Sequence, residues 1–406
     1  MLYGILASAS ALLLTALLTA AVRAPALRFG IVERRRMRPV PLLGGVALVG
    51  GVGAMAWVGE WSGVAPLGVE GARLLVAGAA MGGLGLVGDL WGLPFVPRVV
   101  GIACAAGFVV PYEDVGVLGG VAGVVWIVLV VHGFKGLGRP DGVLGVVGVV
   151  TAFALSACAA AEVVDGLAAL LSLLAAGLTG FLMQNWPPAR VALGECGALF
   201  VGFLLAGGVV QVYAYARGHG VGIGAPFALT ALVTADAVLV LVSRRLAGRE
   251  PWRSGADHLA HRLRRLGLTP VGVVVVLGVC AVASAAVGVA VHMLWMRAGG
   301  VWWVVGGAVL VVAGLSRVPV YGVGARTRQA CPVPAPSGAG DGLTSPSTVP
   351  GISLGAAPGA FPGAAPGTVR RRIAASGPGA VVAPGRCAAR GHDGRSVDPG
   401  RHRHHG

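Results

Sequence analysis

The chain has 406 residues, of which 56% are hydrophobic and 12% charged, with 31 Lys+Arg against 16 Asp+Glu and a formal net charge of +15. Soluble domains carry about a quarter charged residues, so this composition excludes a soluble globular enzyme and reads as an all-α, polytopic membrane helix bundle. The basic excess does not point to nucleic acid. Most cations lie in short loops beside apolar runs or in the C-terminal tail, where membrane topology and anionic lipid account for them.

Residues 1–22, MLYGILASASALLLTALLTAAV, lack a basic leader and run into Arg23, so they read as a first span rather than a cleaved signal peptide. Further apolar stretches fall at roughly 42–59, 73–88, 98–112, 115–134, 142–163, 166–184, 197–216, 222–243, 270–292 and 300–316. Together they predict about eleven transmembrane helices, the third and fourth of them short. Glycine recurs inside the spans (GGVALVGG, AMGGLGLVG), which suits close helix–helix approach in lipid.

Alternate loops differ in charge. One set holds 17 basic residues, from Arg23, Arg28, Arg34, Arg35, Arg36 and Arg38 through Arg98, Lys135, Arg139 and Arg190 to the cluster between Arg244 and Arg265; the other holds 3, Arg73, Arg217 and Arg297. The basic set is therefore expected in the cytoplasm. The cysteines form no CxxC pair, and no disulfide framework or zinc site is implied. The predicted membrane domain covers 1–317. Residues 318–406 are rich in Pro, Gly, Ala and Ser without apolar periodicity, and are expected to be a disordered cytoplasmic tail ending in a solvated GRHRHHG.

The few carboxylates can be weighed singly. Glu60, Glu70, Glu113, Asp114, Glu162 and Asp165 fall in the opposite loops, and Glu33 and Glu250 stand among arginines. Asp236 lies inside the apolar run LVTADAVLVLV, where a functional role and a buried hydrogen-bonding role are both open. Asp89, Asp141, Glu195 and Asp257 map to the cytoplasmic ends of spans. They are either unrelated loop residues or, with the nearby histidines and arginines, one polar site in which carboxylates hold a metal and cations meet phosphate.

The stretch ADHLAHRLRRLG (256–267) sharpens that choice. Wound as a helix, it puts His258, His261, Arg262 and Arg265 on one face and Leu259, Leu263 and Leu266 on a separate apolar stripe. Such a cationic, histidine-bearing face either fixes topology or receives phosphate groups.

Five segments in order resemble the polyprenyl-phosphate N-acetylhexosamine-1-phosphate transferase family: RRRMRPVPLLGGVAL (34–48), GLGLVGDLWGLPFVPR (83–98), HGFKGLGRPDG (132–142), NWPPARVALGECGALFVG (185–202) and DAVLVLVSRRLAGREPWRSGADHLAHRL (236–263). The resemblance departs from the family pattern at particular positions. The paired aspartates are Gly88-Asp89, and the two asparagines of the third segment are His132 and Lys135. Its first aspartate is Gly138, leaving Asp141; the Gly-Asp of the fourth is Gly194-Glu195, and a serine is Ala198.

What the resemblance implies is transfer of a hexosamine 1-phosphate from UDP-N-acetylhexosamine to a polyprenyl phosphate at the inner face of a bacterial plasma membrane, releasing UMP. It implies Mg²⁺ or Mn²⁺, with Asp89 and Glu195 as metal ligands and Asp89 and Asp141 as catalytic acids. Asn185, His258, His261, Arg262 and Lys135 are then substrate-binding, Lys135 as a tethered cation in a vacated site. A homodimer is compatible with it. The alternative is a non-catalytic relative that binds lipid phosphate, nucleotide sugar or a partner protein. A transporter is disfavoured, because polar residues other than Asp236 gather at one face rather than at midplane.

Overall fold

A computed structural model describes residues 2–33, 40–216, 223–250, 255, 257–318 and 320, all within one compact unit that ends at Val333. The proposed tail apart from residues 318 and 320, Arg34 to Arg38, Arg217 and Arg253 lie outside the described residues. The described residues form thirteen α-helices: α1 (Leu2–Ala21), α2 (Arg23–Arg28), α3 (Gly44–Trp61), α4 (Gly68–Trp91), α5 (Phe95–Val109), α6 (Tyr112–Leu137), α7 (Val143–Ala161), α8 (Asp165–Asn185), α9 (Gly194–Ala216), α10 (Gly224–Leu246), α11 (Leu259–Arg265), α12 (Pro270–His292) and α13 (Val301–Ser316). The strands are two residues each: β1 (Val32–Glu33) pairs antiparallel with β2 (Val40–Pro41) beside α3. The all-α expectation holds.

Each predicted apolar stretch becomes a helix, as expected of a polytopic all-α bundle. Nine helices among the described residues are long and apolar enough to cross a membrane. At 15 residues α5 is the short crossing expected of the fourth stretch, about 22 Å long against a hydrocarbon layer about 30 Å thick. The 18-residue α3 is glycine-rich and carries Glu60 in its last turn, whose Oε2 accepts from the Leu67 amide at 2.7 Å. The third stretch is not short. It extends back to Gly68, and at this polar end of α4 Glu70 and Arg73 pair one turn apart, Nη1 to Oε1 3.0 Å.

Helix α9 is apolar on every side, the pattern of a helix with no solvent or lipid face. It is the core: α4, α6, α3 and α7 pack around it, and nearly its whole length is buried. Helix α1 packs on α8 and α3, α7 joins α8 and α12, and α10 carries α12 and α13. At Gly85 a Cβ would stand 2.5 Å from the Glu195 carbonyl oxygen, so only glycine lets α4 approach the first turn of α9 this closely. That approach builds the site.

Candidate functional site

At one end of the bundle, the last turn of α4 meets the first turn of α9. Asp89 Oδ1 accepts from the Glu195 amide at 2.8 Å and Oδ2 from the Cys196 amide at 3.0 Å. The first amides of a helix have no partner within it, and an acidic group there also complements the helix dipole. Asp89 thus caps α9 from another helix. The chain can turn into α9 beneath it because Gly194 takes φ +72°.

This cap fixes Glu195. Its Oε2 accepts from Arg98 Nη2 at 3.0 Å, and its Oε1 is ion-paired with Lys135 Nζ in the last turn of α6. Arg98 Nη2 also donates to the Leu93 carbonyl at 2.7 Å. A Cβ on Gly88 would fall against Glu195 Oε2, so the longer acid fills the space that this glycine leaves. His132, one turn before Lys135, donates from Nδ1 to the Val128 carbonyl at 2.8 Å and lies against Phe95 at 5.4 Å between ring centroids. A carbonyl can only accept, so Nδ1 carries the proton. His132 Nε2 and Arg98 Nε are buried without a protein partner.

The adjacent residue of α6 faces the second half of the cluster. A Cβ on Gly136 would be 2.6 Å from His258 Nδ1 and 3.3 Å from Asp236 Oδ2. Asp236, fully buried on α10, accepts from His258 Nδ1 at 2.8 Å and from the Leu259 amide at 2.6 Å. It caps α11 as Asp89 caps α9, which answers the open question about it: Asp236 is a buried hydrogen-bonding group that orients an imidazole. Asp257 makes a two-bond pair with Arg244, Nε to Oδ2 2.6 Å and Nη2 to Oδ1 3.0 Å.

The expected amphipathic face on 256–267 is corrected. Helix α11 spans only seven residues, and His258 precedes it in extended backbone (ψ 159°). Arg262 is 1% exposed and turns inward, donating to Asp257 O at 3.0 Å, Leu315 O at 2.5 Å, Val318 O at 3.0 Å and Ser243 Oγ. At least four of its five N–H donors are spent on the protein. It ties α13 to α10 and α11 instead of facing phosphate. Arg264, Arg265 and Leu266 are exposed, so cations and leucine share the outer side. His261 is half-buried; burial first, then the charges of His258, Arg139 and Arg264, hold it below the usual histidine value, so it is neutral at pH 7.

Asp141, in the turn before α7, accepts from the Ala189 amide at 3.1 Å. Asn185 accepts from the Gly142 amide and donates to the Val191 carbonyl, both at 2.8 Å. These residues staple the 138–142 and 186–193 loops together. Arg139 Nη1 reaches the Gly255 carbonyl at 3.1 Å, linking the same turn to the α11 segment.

Asp89 with Glu195, and Lys135 beside them, were expected together and are in direct contact; His258 joins them through Gly136. Arg98 was read only as a topological charge. Its sequence signal was an arginine one turn inside an apolar helix, just after Leu-Pro, where a lone cation needs a buried acid.

The donor set does not fit a divalent metal ion. Each oxygen of Asp89 accepts from an amide of α9, and each of Glu195 is paired with a cation, Arg98 or Lys135, so a dication here would compete with a helix start and two positive side chains. Among the described residues no three His, Cys, Asp or Glu side chains are grouped to hold a metal.

A family model described as glycosyl transferase family 4 matches residues 72–213, which span α4 to α9 and hold this cluster except for the α10–α11 part. A Streptomyces coelicolor protein named "Putative glycosyltransferase SCO3672" is 53% identical over 341 residues, 82% of this chain and 82% of that protein. The proteins named decaprenyl-phosphate N-acetylglucosaminephosphotransferase of Mycobacterium tuberculosis and Mycolicibacterium smegmatis are 27% and 26% identical over 313 residues. Those matches cover 64% of this chain and 75% and 74% of the relatives.

Proposed function

The chain belongs to glycosyl transferase family 4, a multi-pass membrane family of polyprenyl-phosphate hexosamine-1-phosphate transferases, and on that premise we propose that it moves an N-acetylhexosamine 1-phosphate from a UDP-sugar to a polyprenyl phosphate. An oxygen of the lipid phosphate would attack the sugar-bearing phosphorus. A P–O bond forms there as the bond to the bridging oxygen breaks, and UMP leaves with that oxygen. The reading places the reaction at the cytoplasmic face of the plasma membrane, which the charge bias of the loops supports, and at the start of an envelope polysaccharide, as the family resemblance implies.

The observation that carries this reading is the meeting of two aspartate-capped segments across Lys135 and Gly136. One side offers the ammonium of Lys135 and the guanidinium of Arg98; the other offers His258 with its Nδ1–H held by Asp236. In the neutral ring this leaves Nε2 as a proton acceptor. Cations and fixed donors around a pyrophosphate would stabilise the charge that develops in transfer. Asp141 is proposed as the carboxylate that receives the proton of the lipid phosphate, with Asn185 setting its loop and His261, neutral at pH 7, as a hydrogen-bonding contact to the donor.

A second reading is favoured by one observation, that every carboxylate oxygen of Asp89 and Glu195 already has a protein partner. It is a relative that binds both ligands without turnover. The test is UMP release by membranes carrying the protein, supplied with a panel of UDP-N-acetylhexosamines and polyprenyl phosphate. Release that His258→Ala lowers by about 100-fold, the range for losing a general acid–base or electrostatic group, supports transfer. Binding of both ligands with no UMP from any donor supports the second reading.

A further inference from the structure

We propose that this cluster carries its own cation: Lys135, held by Glu195, takes the place of a divalent ion, so that a nucleoside diphosphate binds here without metal. This rests on the reading of the cluster as a nucleotide-sugar site and specifies how that site meets the diphosphate.

Four observations carry it. First, Asp89 faces the amino end of α9, where it accepts from two amides at 2.8 and 3.0 Å. The partial positive charge of a helix start repels a metal cation at the same carboxylate. Second, Glu195 lies between an ammonium and a guanidinium. A dication bound to it would sit beside two positive charges in a partly buried setting, where screening is weak. Third, the two acids and two bases cancel. A divalent ion resident here ahead of the diphosphate would leave a net charge of two in a half-buried site, and uncompensated buried charge is costly. Fourth, the position where a further carboxylate could join the set is Gly88, and Glu195 Oε2 already lies where its Cβ would stand.

The same neighbourhood retains capacity for a ligand. Arg98 Nε is a buried donor with no protein partner, and His132 Nε2, a buried acceptor in the neutral ring, is within electrostatic reach of Lys135, Arg98 and Glu195. A lysine ammonium has three donors. One on Glu195 leaves two for phosphate oxygens. Lys135 is thus assigned as a binding residue that needs no metal bridge.

The test uses the full-length protein in nanodiscs of zwitterionic lipid, with His402, His404 and His405 changed to alanine so that the terminal histidines cannot hold metal. Mn²⁺ binding is followed by electron paramagnetic resonance, and binding of labelled UDP is measured with EDTA or with Mg²⁺. The expected result is no site-bound Mn²⁺ and a UDP dissociation constant that differs by less than about twofold between the two conditions. Lys135→Ala should weaken UDP by about tenfold or more, the size of one charge-assisted contact, while Lys135→Arg should keep most of it. A Mn²⁺ signal that Glu195→Gln removes, or UDP binding that collapses in EDTA, overturns the proposal. If UDP binds under neither condition, the nucleotide-sugar reading fails and this proposal fails with it; a Mn²⁺ signal accompanied by metal-dependent UDP binding overturns the proposal alone.

Discussion

Glu195 shows how one methylene can change a site. An acid reaching from the first turn of α9 crosses the gap left by Gly88 and ends between Arg98 and Lys135. The substitutions at positions 88, 135 and 195 are therefore one structural unit, which single positions in the sequence cannot reveal. Gly88→Asp alone should destabilise the protein, because its Cβ meets Glu195 Oε2 and a second negative charge arrives beside the first. Glu195→Asp withdraws the oxygen, so Gly88→Asp combined with Glu195→Asp should recover part of the loss. The expected coupling is about 1–3 kcal/mol, as for residues in direct contact, and is read from thermal unfolding of the four proteins in detergent. Effects that simply add would show that the two positions do not share this space. The sequence did place Asp89 and Glu195 at one end of the bundle. It could not show that their oxygens are already engaged, since the groups that take them, from the α9 amides to Arg98, lie about a hundred residues from one acid or the other.

At the scale of elements, the spans were legible because hydropathy marks them directly, whereas α11 was not. The periodicity of 256–267 allowed a longer amphipathic helix, but tertiary contacts overrode it. Asp236 pins the amide of Leu259 and starts the helix one residue after His258, and Arg262 is drawn inward by the carbonyls at the end of α13. Arg262→Ala should free that end, so hydrogen exchange across 311–318 rises while α9 stays protected. Unchanged exchange there would mean that α13 is held by its apolar packing alone. His261 on the same short helix gives a pH dependence. Unfolded, it takes a proton near 6.5; folded, burial and neighbouring cations delay that to lower pH. Between the two values the unfolded chain binds more protons, so stability falls as pH is lowered through 6.5 toward the depressed folded-state value. His261→Gln should flatten this fall in the melting midpoint, and an unaltered slope would remove His261 as its source.

For the whole molecule, the placement of tryptophan agrees with a bundle seated in a bilayer. Trp57, Trp61, Trp295, Trp302 and Trp303 are exposed toward the end away from the site, and Trp91 and Trp186 are exposed or partly so at the site end. Trp enrichment at both levels is the pattern of membrane–water interfaces. Charge then distinguishes the two sets of loops in the sequence: 17 basic residues fall in the set that includes Arg98, Lys135 and Arg139 of the site end, and 3 in the set that includes Arg73. A membrane with its anionic leaflet inside retains the basic loops there, which would put Asp89, Lys135 and His258 where cytoplasmic nucleotide sugars are available. The measurement is labelling of single cysteines by a membrane-impermeant maleimide in intact cells, in a background from which the native cysteines have been removed. Arg73→Cys, exposed near the start of α4, should label from outside. Arg249→Cys, exposed just after α10, should label only after the cells are opened. The two positions lie at opposite ends of the bundle, so a reversed pattern would invert the orientation and sever the site from its proposed donor. Labelling of both from outside would instead show that the chain between α4 and α10 crosses the membrane an even number of times, contradicting the alternation of helices from α4 to α10.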